Sequence, residues 1–175
     1  MQKTMSHNFS KEFFAENRNK LFSKLPEKSL VILFSAEQFP KNGDQYYKFR
    51  QNSDTFYFTG LVQEETTILL FKDREAKQFV EYAFIIEPNQ KMITWTGHKF
   101  SKQEVYDISK IKNVEYNDRF NSIFEKLLSE AEYVFVSQKS NIRGIKYKNR
   151  NTETLLDNLA KNHPHIDIQD LDVLT

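Results

Sequence analysis

The chain has 175 residues, a length typical of one domain, and its 25 Lys and Arg residues nearly balance 24 Asp and Glu residues. The net charge of +1 provides no global attraction to nucleic acid or to an anionic membrane. The absence of cysteine excludes disulfides, thiolate catalysis and cysteine-ligated zinc or iron–sulfur centres.

The remaining composition favours a single folded domain over residues 1–175. Sixteen Phe and eight Tyr argue against disorder, and only four Gly and four Pro argue against two loosely tethered units. Residues 1–15 lack the apolar segment of a signal peptide. The longest apolar run, residues 30–34, is far shorter than the roughly 20 residues that span a bilayer. We therefore expect a cytoplasmic protein with no membrane partner.

The first predicted element is a helix over residues 9–25, with Ser10 or Asn8 as its N-cap and Pro26 as its stop signal. Apolar side chains spaced three and four apart form one stripe: Phe9, Phe13, Phe14, Leu21, Phe22 and Leu25. Residues 30–34 form a continuous apolar run, which predicts a strand buried on both faces. The long polar stretch that follows, residues 35–53, indicates a functional loop or a hidden short element.

Aromatic and β-branched residues predict a strand at residues 55–58, which Gly60 follows. Residues 66–71 and 79–86, separated by a charged turn, predict an antiparallel hairpin, and residues 92–95 predict a short further strand. Ser101 and Glu104 form a capping-box pattern, which predicts a helix start.

The last third of the chain alternates short strands and helices. Strands are predicted at residues 114–116 and 132–136, and helices at residues 118–131 and 152–162. Hairpins and helix–strand alternation occur together, so the predicted fold class is α/β, with a mixed β-sheet flanked by helices on both faces.

Several kinds of catalytic or binding site lack their sequence pattern. There is no Gly-x-Ser-x-Gly nucleophile motif and no clustered glycine loop for phosphate. His163 and His165 flank Pro164 and could bind a metal, but no carboxylate pair has ligand spacing nearby, and a solvated helix end is the favoured interpretation. We predict no metal site in this chain.

A basic stretch runs through residues 139–150, with Tyr147 interleaved. Its cations are Lys139, Arg143, Lys146, Lys148 and Arg150. Such a pattern occurs in nucleic-acid-binding proteins, but a solvated charged face is commoner, and we predict no nucleic-acid partner.

The segment 46–70 is the most unusual, because six aromatic residues surround Arg50, Asn52 and Asp54. Arg50 and Asp54 could form a charge-assisted pair. The favoured alternative is structural: an aromatic loop locks onto the sheet, and Gly60 supplies a turn that other residues resist.

This segment resembles the signature of the N-terminal domain of Xaa-Pro aminopeptidases (aminopeptidase P), which are related to creatinase and prolidase. The matching residues are Phe49-Arg50-Gln51-Asn52-Ser53-Asp54, Tyr57-Phe58-Thr59-Gly60, Glu64 and Ile68-Leu69-Leu70. The run Trp95-Thr96-Gly97-His98-Lys99 resembles the family's downstream Trp-x-Gly-x-Arg segment. Thr55, Glu65, Lys99 and Ser101 depart from the family pattern, and Lys99 loses the planar fork of Arg.

The resemblance implies a non-catalytic domain of a hydrolase that releases the residue preceding proline. In that family two divalent metals, typically manganese, are held by two Asp, one His and two Glu of a C-terminal pita-bread domain, which is expected to lie outside this chain. No catalytic residue is therefore predicted here. The implied partners are this catalytic domain, further copies in a homo-oligomer and, for the full-length enzyme, proline-containing peptides.

The residues predicted to line the substrate channel or an interface are Trp95, His98, Arg50, Asp54 and Tyr57. The matching Trp of the family lies near the substrate channel, and a flat indole could stack on a peptide or proline ring. The alternative is that Trp95 fills the core. A stand-alone or inactive peptide-binding module on the same fold is the alternative function.

Overall fold

A mixed sheet forms the centre of the protein in its structure, a computed structural model that describes residues 9–42, 45–88, 98–138, 140–142, 145–147 and 149–174. The sheet contains β1 (Ser29–Phe34), β4 (Thr67–Lys72), β5 (Val80–Ile85), β6 (Asn113–Tyr116), β7 (Tyr133–Val136) and β10 (Asp167–Asp170). Their spatial order is β10-β7-β1-β4-β5-β6. Two separate hairpins pair β2 (Pro40–Asn42) with β3 (Gln45–Tyr46), and β8 (Ser140–Ile142) with β9 (Ile145–Tyr147).

Five of the six central strands point in the same direction. β1 and β10 both pair with β7 in parallel, and β5 pairs with β6 in parallel. β4 runs antiparallel to both of its neighbours, with Ile32 opposite Leu69 and Leu69 opposite Tyr82. The ends of β1, β5, β6, β7 and β10 therefore lie along one edge of the sheet, which we call the carboxyl edge.

Helices cover both faces of the sheet. Within the described ranges the helices are α1 (Lys11–Lys24), α2 (Ser53–Thr59), α3 (Lys102–Ser109), α4 (Phe120–Glu130) and α5 (Arg150–Asn162), with short 3₁₀ turns at Asn117–Arg119 and Leu171–Val173. Side chains of α1, α2 and α3 pack in one core with Val31 and Leu33 of β1. Side chains of α4 and α5 pack in a second core with Leu30 and Ile32. Alternation along a strand sends successive side chains to opposite faces, so the apolar run of β1 supplies both cores. The predicted fold class is confirmed.

Local signals placed most helix ends correctly. Ser10 caps α1 by accepting a hydrogen bond from the Phe13 N–H at 3.3 Å, and the helix ends before Pro26. Ser101 and Glu104 form the predicted capping box of α3. The hairpin predicted at residues 66–71 and 79–86 is confirmed as β4 and β5, and the helices predicted at residues 118–131 and 152–162 are confirmed as α4 and α5.

The strand predicted at residues 55–58 is wrong, because these residues belong to helix α2. The helix ends at Gly60, which adopts the left-handed conformation at φ 71° and donates its N–H to the Phe56 carbonyl at 2.7 Å. The side chains of Asn52 and Thr55 donate to the Phe34 carbonyl at 3.0 and 2.7 Å. These hydrogen bonds join residues about 20 positions apart, so they depend on the tertiary fold. They outweigh the local preference of β-branched and aromatic residues for strands, because that preference is weak and depends on context.

The hairpins β2–β3 and β8–β9 and the edge strand β10 have no counterpart among the predicted elements. The long polar stretch 35–53 contains the first hairpin and the start of α2. The strand predicted at residues 92–95 lies outside the described residues. No helix within the described ranges has the length and apolar character needed to cross a membrane.

Candidate functional site

The carboxyl edge gathers the segments that carry the sequence motifs. In open α/β sheets, ligands bind in crevices outside the carboxyl ends of the strands. Three long connections leave β1, β5 and β7 at this edge, and they contain respectively the first hairpin with α2, the segment 86–101, and the second hairpin. The C-terminal 3₁₀ turn follows β10 at the same edge.

We call the signature residues between Phe49 and Leu70 the first motif. Within it, the side chain of Gln51 connects several backbone segments. Its side chain is 8% exposed. Its Oε1 accepts from the backbone N–H groups of Ala36 at 2.8 Å and Asn52 at 3.0 Å. Its Nε2 donates to the carbonyls of Leu61 at 3.1 Å and Gln63 at 3.2 Å. One amide thus joins the chain after β1 to both ends of α2. The structural interpretation of this segment accounts for the contacts of Gln51, Asn52 and Thr55.

Helix α1 satisfies the last carbonyls of α2, which have no partner within that helix. Asn17 donates through Nδ2 to the Tyr57 carbonyl at 3.0 Å, and Arg18 donates through Nη1 to the Phe58 carbonyl at 2.8 Å. Arg18 is 1% exposed and also forms a bidentate pair with Glu81 of β5, at 2.7 and 3.0 Å. Sequence reasoning missed Arg18, because an arginine on a helix is ordinarily exposed and its partner is distant in the sequence.

Arg50 and Asp54 do not form the charge-assisted pair that their spacing allows. Arg50 is exposed, and no ion pair within the described ranges joins it to Asp54. Asp54 instead faces Ser137, at the end of β7, and Asp170 and Asp172, at the end of β10. The first turn of α2 holds Asp54 against these two strands, whereas Arg50 precedes the helix.

Burial raises the pKa of Asp54 above its ordinary value, a hydrogen bond with Ser137 lowers it, and the charges of Asp172 and Asp170 raise it further. The Ser137 hydroxyl also donates to Asp172 Oδ1 at 2.8 Å. One hydroxyl hydrogen serves only one carboxylate at a time, so Ser137 compensates this group of charges incompletely. The ionised form of Asp54 is therefore unfavourable in the folded state.

Replacing Asp54 by asparagine is expected to stabilise the protein at pH 7. A carboxyl whose folded-state pKa is raised loses folding stability as the pH rises through that pKa, and the neutral amide removes this loss. The gain should disappear as the pH falls below the ordinary Asp value of 3.8. Denaturant unfolding of both proteins across that pH range measures the difference. Asp157→Asn, on the exposed side of α5, is the matched control and should show no such trend; an equal gain in both variants would contradict the assignment.

We call the run of residues 95–99 the second motif. Its last residue, Lys99, and the following Phe100 make buried polar contacts with the first motif. Lys99 is 9% exposed, and its ammonium pairs with the Glu64 carboxylate. The Phe100 N–H donates to Gln63 Oε1 at 2.6 Å, while Nε2 of Gln63 is buried and has no hydrogen-bond partner among the described residues. Lys99 therefore keeps an ionic contact to the first motif although the family pattern has arginine there. Trp95, which precedes it, lies outside the described residues.

His98 is exposed and binds Glu104 of the α3 capping box, with Nε2 and Oε1 2.8 Å apart. Burial raises the pKa of Glu104, but hydrogen bonds from the Ser101 N–H and hydroxyl and from His98 outweigh it, so the net shift is downward. His98 thus contacts the start of α3. It is not brought to Arg50 or Asp54 by any of the described contacts.

Tyr57 of α2 lies in an aromatic patch with Phe13 of α1, which is half-buried, and with Phe9, which precedes α1 and is exposed. Phe9 stacks on Phe13 with ring centroids 4.8 Å apart, and Phe13 meets Tyr57 edge-on at 6.5 Å. Phe9 is 48% and Tyr57 44% exposed. Large exposed aromatic surfaces typically mark contact sites for other proteins or ligands.

Within the described ranges, no group of three or more His, Asp or Glu side chains is arranged to hold a metal ion. The rings of His163 and His165, at the end of α5, have centroids 6.1 Å apart. The described residues therefore do not fit a metal centre.

Comparison with known proteins gives one consistent family. Residues 14–135 match the model of the aminopeptidase P N-terminal domain. The chain is 25% identical over 126 residues to a Xaa-Pro aminopeptidase of Haemophilus influenzae, covering 71% of this chain and 29% of that protein. It is 22% identical over 148 residues to the intermediate cleaving peptidase 55 of Saccharomyces cerevisiae, covering 82% of this chain and 28% of that protein.

The solved structures that resemble this chain include structures of aminopeptidase P. A structure assigned as an aminopeptidase P of Bacillus anthracis has a TM-score of 0.83 at 26% identity, over 93% of this chain and 38% of that one. Aminopeptidase P of Escherichia coli has the same fold, with a TM-score of 0.78 at 20% identity over 95% of this chain and 38% of that one. The chain thus spans less than a third of the two peptidases matched by sequence.

Proposed function

The chain belongs to the aminopeptidase P N-terminal domain family, and from this premise we propose that it is the non-catalytic N-terminal domain of a metal-dependent Xaa-Pro aminopeptidase. The full enzyme would release the N-terminal residue that precedes a proline. The observation that carries the proposal is the family match over residues 14–135, within which the signature residues Gln51 and Asn52 fasten α2 to the sheet. We further propose that residues 1–175 form one domain and act in the cytoplasm.

In this proposal the two divalent metal ions, with manganese as the expected metal, are held by a pita-bread domain outside these residues. The contribution of this chain is to shape the substrate channel and to contact other subunits. The exposed rings of Phe9 and Tyr57 support a contact role, because 48% and 44% of their surface is left for a partner. Trp95, His98, Arg50, Asp54 and Tyr57 remain the proposed channel or interface residues.

A stand-alone peptide-binding module on the same fold is the second candidate. The observation that favours it is that the polar groups of Gln51, Asn52 and Thr55 make their hydrogen bonds inside the domain. Such a motif reports the fold and does not require catalysis elsewhere, since one fold supports unrelated functions.

Two observations distinguish the candidates: the metal ligands encoded by the whole reading frame that contains these residues, and an activity assay. We expect the purified 175-residue chain to release nothing from Xaa-Pro peptides with added manganese. We expect the protein encoded by the whole reading frame to carry two Asp, one His and two Glu as metal ligands. It should cleave such peptides, and a chelator should stop the cleavage. A frame without those five ligands would favour the binding module. Chelator-sensitive turnover by the 175-residue chain alone would contradict both.

Replacing Trp95 by alanine in the full-length enzyme is expected to lower kcat/KM for proline peptides and to leave the melting temperature nearly unchanged. The reason is that loss of one aromatic stacking contact removes about 1 kcal/mol of substrate binding. Phe58→Ala is the control, because Phe58 is 2% exposed and its truncation should cost about 3–5 kcal/mol of stability. A Trp95→Ala enzyme that melts as early as Phe58→Ala, with normal kinetics per folded molecule, would assign Trp95 to the core.

A further inference from the structure

Gln63 joins two parts of the chain that are far apart in sequence. It is 3% exposed and lies just before β4, whose start is at the carboxyl edge because β4 is antiparallel to its neighbours. The backbone carbonyl of Gln63 accepts from Nε2 of Gln51, in the first motif, at 3.2 Å. Its Oε1 accepts the N–H of Phe100, 37 positions further along the chain, at 2.6 Å. Gln63 therefore links the first motif to the residues that lead into α3.

Residues 98–101, which we call the entry segment, lead into α3. The Phe100 N–H of this segment binds the side chain of Gln63. The ammonium of Lys99, the residue before, pairs with the carboxylate of Glu64, the residue after Gln63. Two contacts between consecutive residues fix the direction of a segment as well as its position, whereas a single contact would let the segment pivot. The path of the entry segment is therefore set by residues 63 and 64.

The side-chain amide of Gln63 uses only its oxygen. Within the described ranges, Nε2 of Gln63 is the one buried side-chain polar atom that has no hydrogen-bond partner. A buried donor without an acceptor is unfavourable, and most buried polar groups in folded proteins are paired. A methionine of similar volume would fill the same space without this unfavourable donor. The benefit of a glutamine at this position is therefore the acceptor that it offers to Phe100.

We propose that Gln63 is a positioning residue, which fixes the entry segment and through it the place of His98. His98 is the first residue of this segment, and its Nε2 lies 2.8 Å from Oε1 of Glu104 in α3. The Phe100 contact holds the backbone between His98 and α3, so its loss frees the stretch that carries the imidazole. That His98 lines a substrate channel rests on the function proposed above. The positioning itself is a property of the 175-residue chain.

Hydrogen exchange of the Phe100 N–H, followed by NMR in the 175-residue chain, tests this positioning. In Gln63→Met the amide is expected to exchange at least about tenfold faster, because it loses its acceptor while the volume of residue 63 is kept. The ring signals of His98 are expected to shift in the same variant. Gln63→Glu keeps an oxygen for the Phe100 N–H, and it should bring both measurements back toward those of the parent protein. A role in packing alone predicts the opposite order, since Met removes an unpaired donor and Glu adds a buried charge.

Two controls separate a local effect from a folding defect. The Leu69 N–H, in the central strand β4, should keep its exchange rate in both variants. Gln103→Met makes the same change at an exposed position of α3 and should leave the Phe100 rate within about twofold of the parent rate. The proposal would be overturned by a parent-like Phe100 rate in Gln63→Met, by equally accelerated exchange at Leu69, or by a Gln63→Glu variant that is the worse of the two.

In a full-length enzyme, Gln63→Met is expected to raise KM for proline peptides by at least about threefold with kcat nearly unchanged. The reason is that a displaced channel residue weakens binding of the ground state and of the transition state equally. An unchanged KM in an active enzyme would overturn the link between this positioning and the channel. A full-length parent protein without such activity would contradict the proposed function, and the exchange rates would still decide whether Gln63 positions the entry segment.

Discussion

Replacing Arg18 by methionine is expected to destabilise the protein by about 3–5 kcal/mol, the cost of leaving a buried charge pair with one partner. Arg18 is 1% exposed and holds three groups together: both oxygens of Glu81, at 2.7 and 3.0 Å, and the Phe58 carbonyl, at 2.8 Å. Methionine fills a similar volume but donates no hydrogen bond. The Glu81 carboxylate and the last turn of α2 would therefore lose their partner together.

Urea unfolding of Arg18→Met and Arg74→Met separates this effect from the loss of a positive charge. Arg74 also pairs with a glutamate, Glu132, but at 3.9 Å and with 66% of its side chain exposed. Its replacement should change stability by less than about 1 kcal/mol, as for other surface pairs. The double variant Arg18→Met, Glu81→Met should recover part of the loss, because it removes the unpaired carboxylate. Similar effects for Arg18→Met and Arg74→Met would show that the buried contacts contribute little.

Replacing Gly60 by alanine is expected to cost about 2–5 kcal/mol, from two causes that add. The left-handed conformation at φ 71° costs an L-residue about 1–2 kcal/mol. A Cβ atom would also lie 2.3 Å from Cε2 of Phe14, a side chain that is fully buried, and such overpacking typically costs about 1–3 kcal/mol. The helix α1 would have to move away from α2, which carries the first motif.

A double-mutant cycle with Phe14→Leu measures the steric part, since a smaller side chain leaves room for the new methyl group. Lys110 provides the conformational control: it ends α3 at φ 65°, the same region of backbone space. Lys110→Gly should stabilise the protein by less than about 1 kcal/mol, because it relieves the backbone cost of about 1–2 kcal/mol but adds about 0.5–1 kcal/mol of chain entropy that folding must remove. If Gly60→Ala were tolerated, or if Phe14→Leu gave no recovery, the close approach of the two helices would not be the cause.

These two variants also bear on the proposed function, because α1 positions α2 and α2 positions the first motif. In a full-length enzyme, Arg18→Met would then be expected to reduce the amount of folded protein more than the kinetics of each folded molecule. Trp95→Ala is expected to show the reverse pattern.

The sequence by itself determined the fold class, the family and the elements whose signals are local. The apolar run of β1, the Ser10 cap of α1 and the capping box of Ser101 and Glu104 each lie within a few residues, and each matches the structure. The order of residues in the first motif was sufficient to indicate the aminopeptidase P family, which the match over residues 14–135 confirms. Periodicity and capping depend on neighbours along the chain, so they can be recognised without knowing the fold.

Only the tertiary structure decided the state of α2 and the partners of its charged residues. A seven-residue segment has little helix preference of its own, so bonds from Asn52 and Thr55 to Phe34 and from Arg18 to Phe58 determine its conformation. Asp54 meets Ser137 and Asp170 rather than Arg50, because the sheet order places the ends of β7 and β10 beside the start of α2. Likewise, Asn149 reaches the Ser35 carbonyl because β1 and β7 are neighbours in the sheet, although 114 residues separate Asn149 from Ser35 in the chain. Contacts between residues so far apart are set by strand order, and strand order is a property of the whole fold.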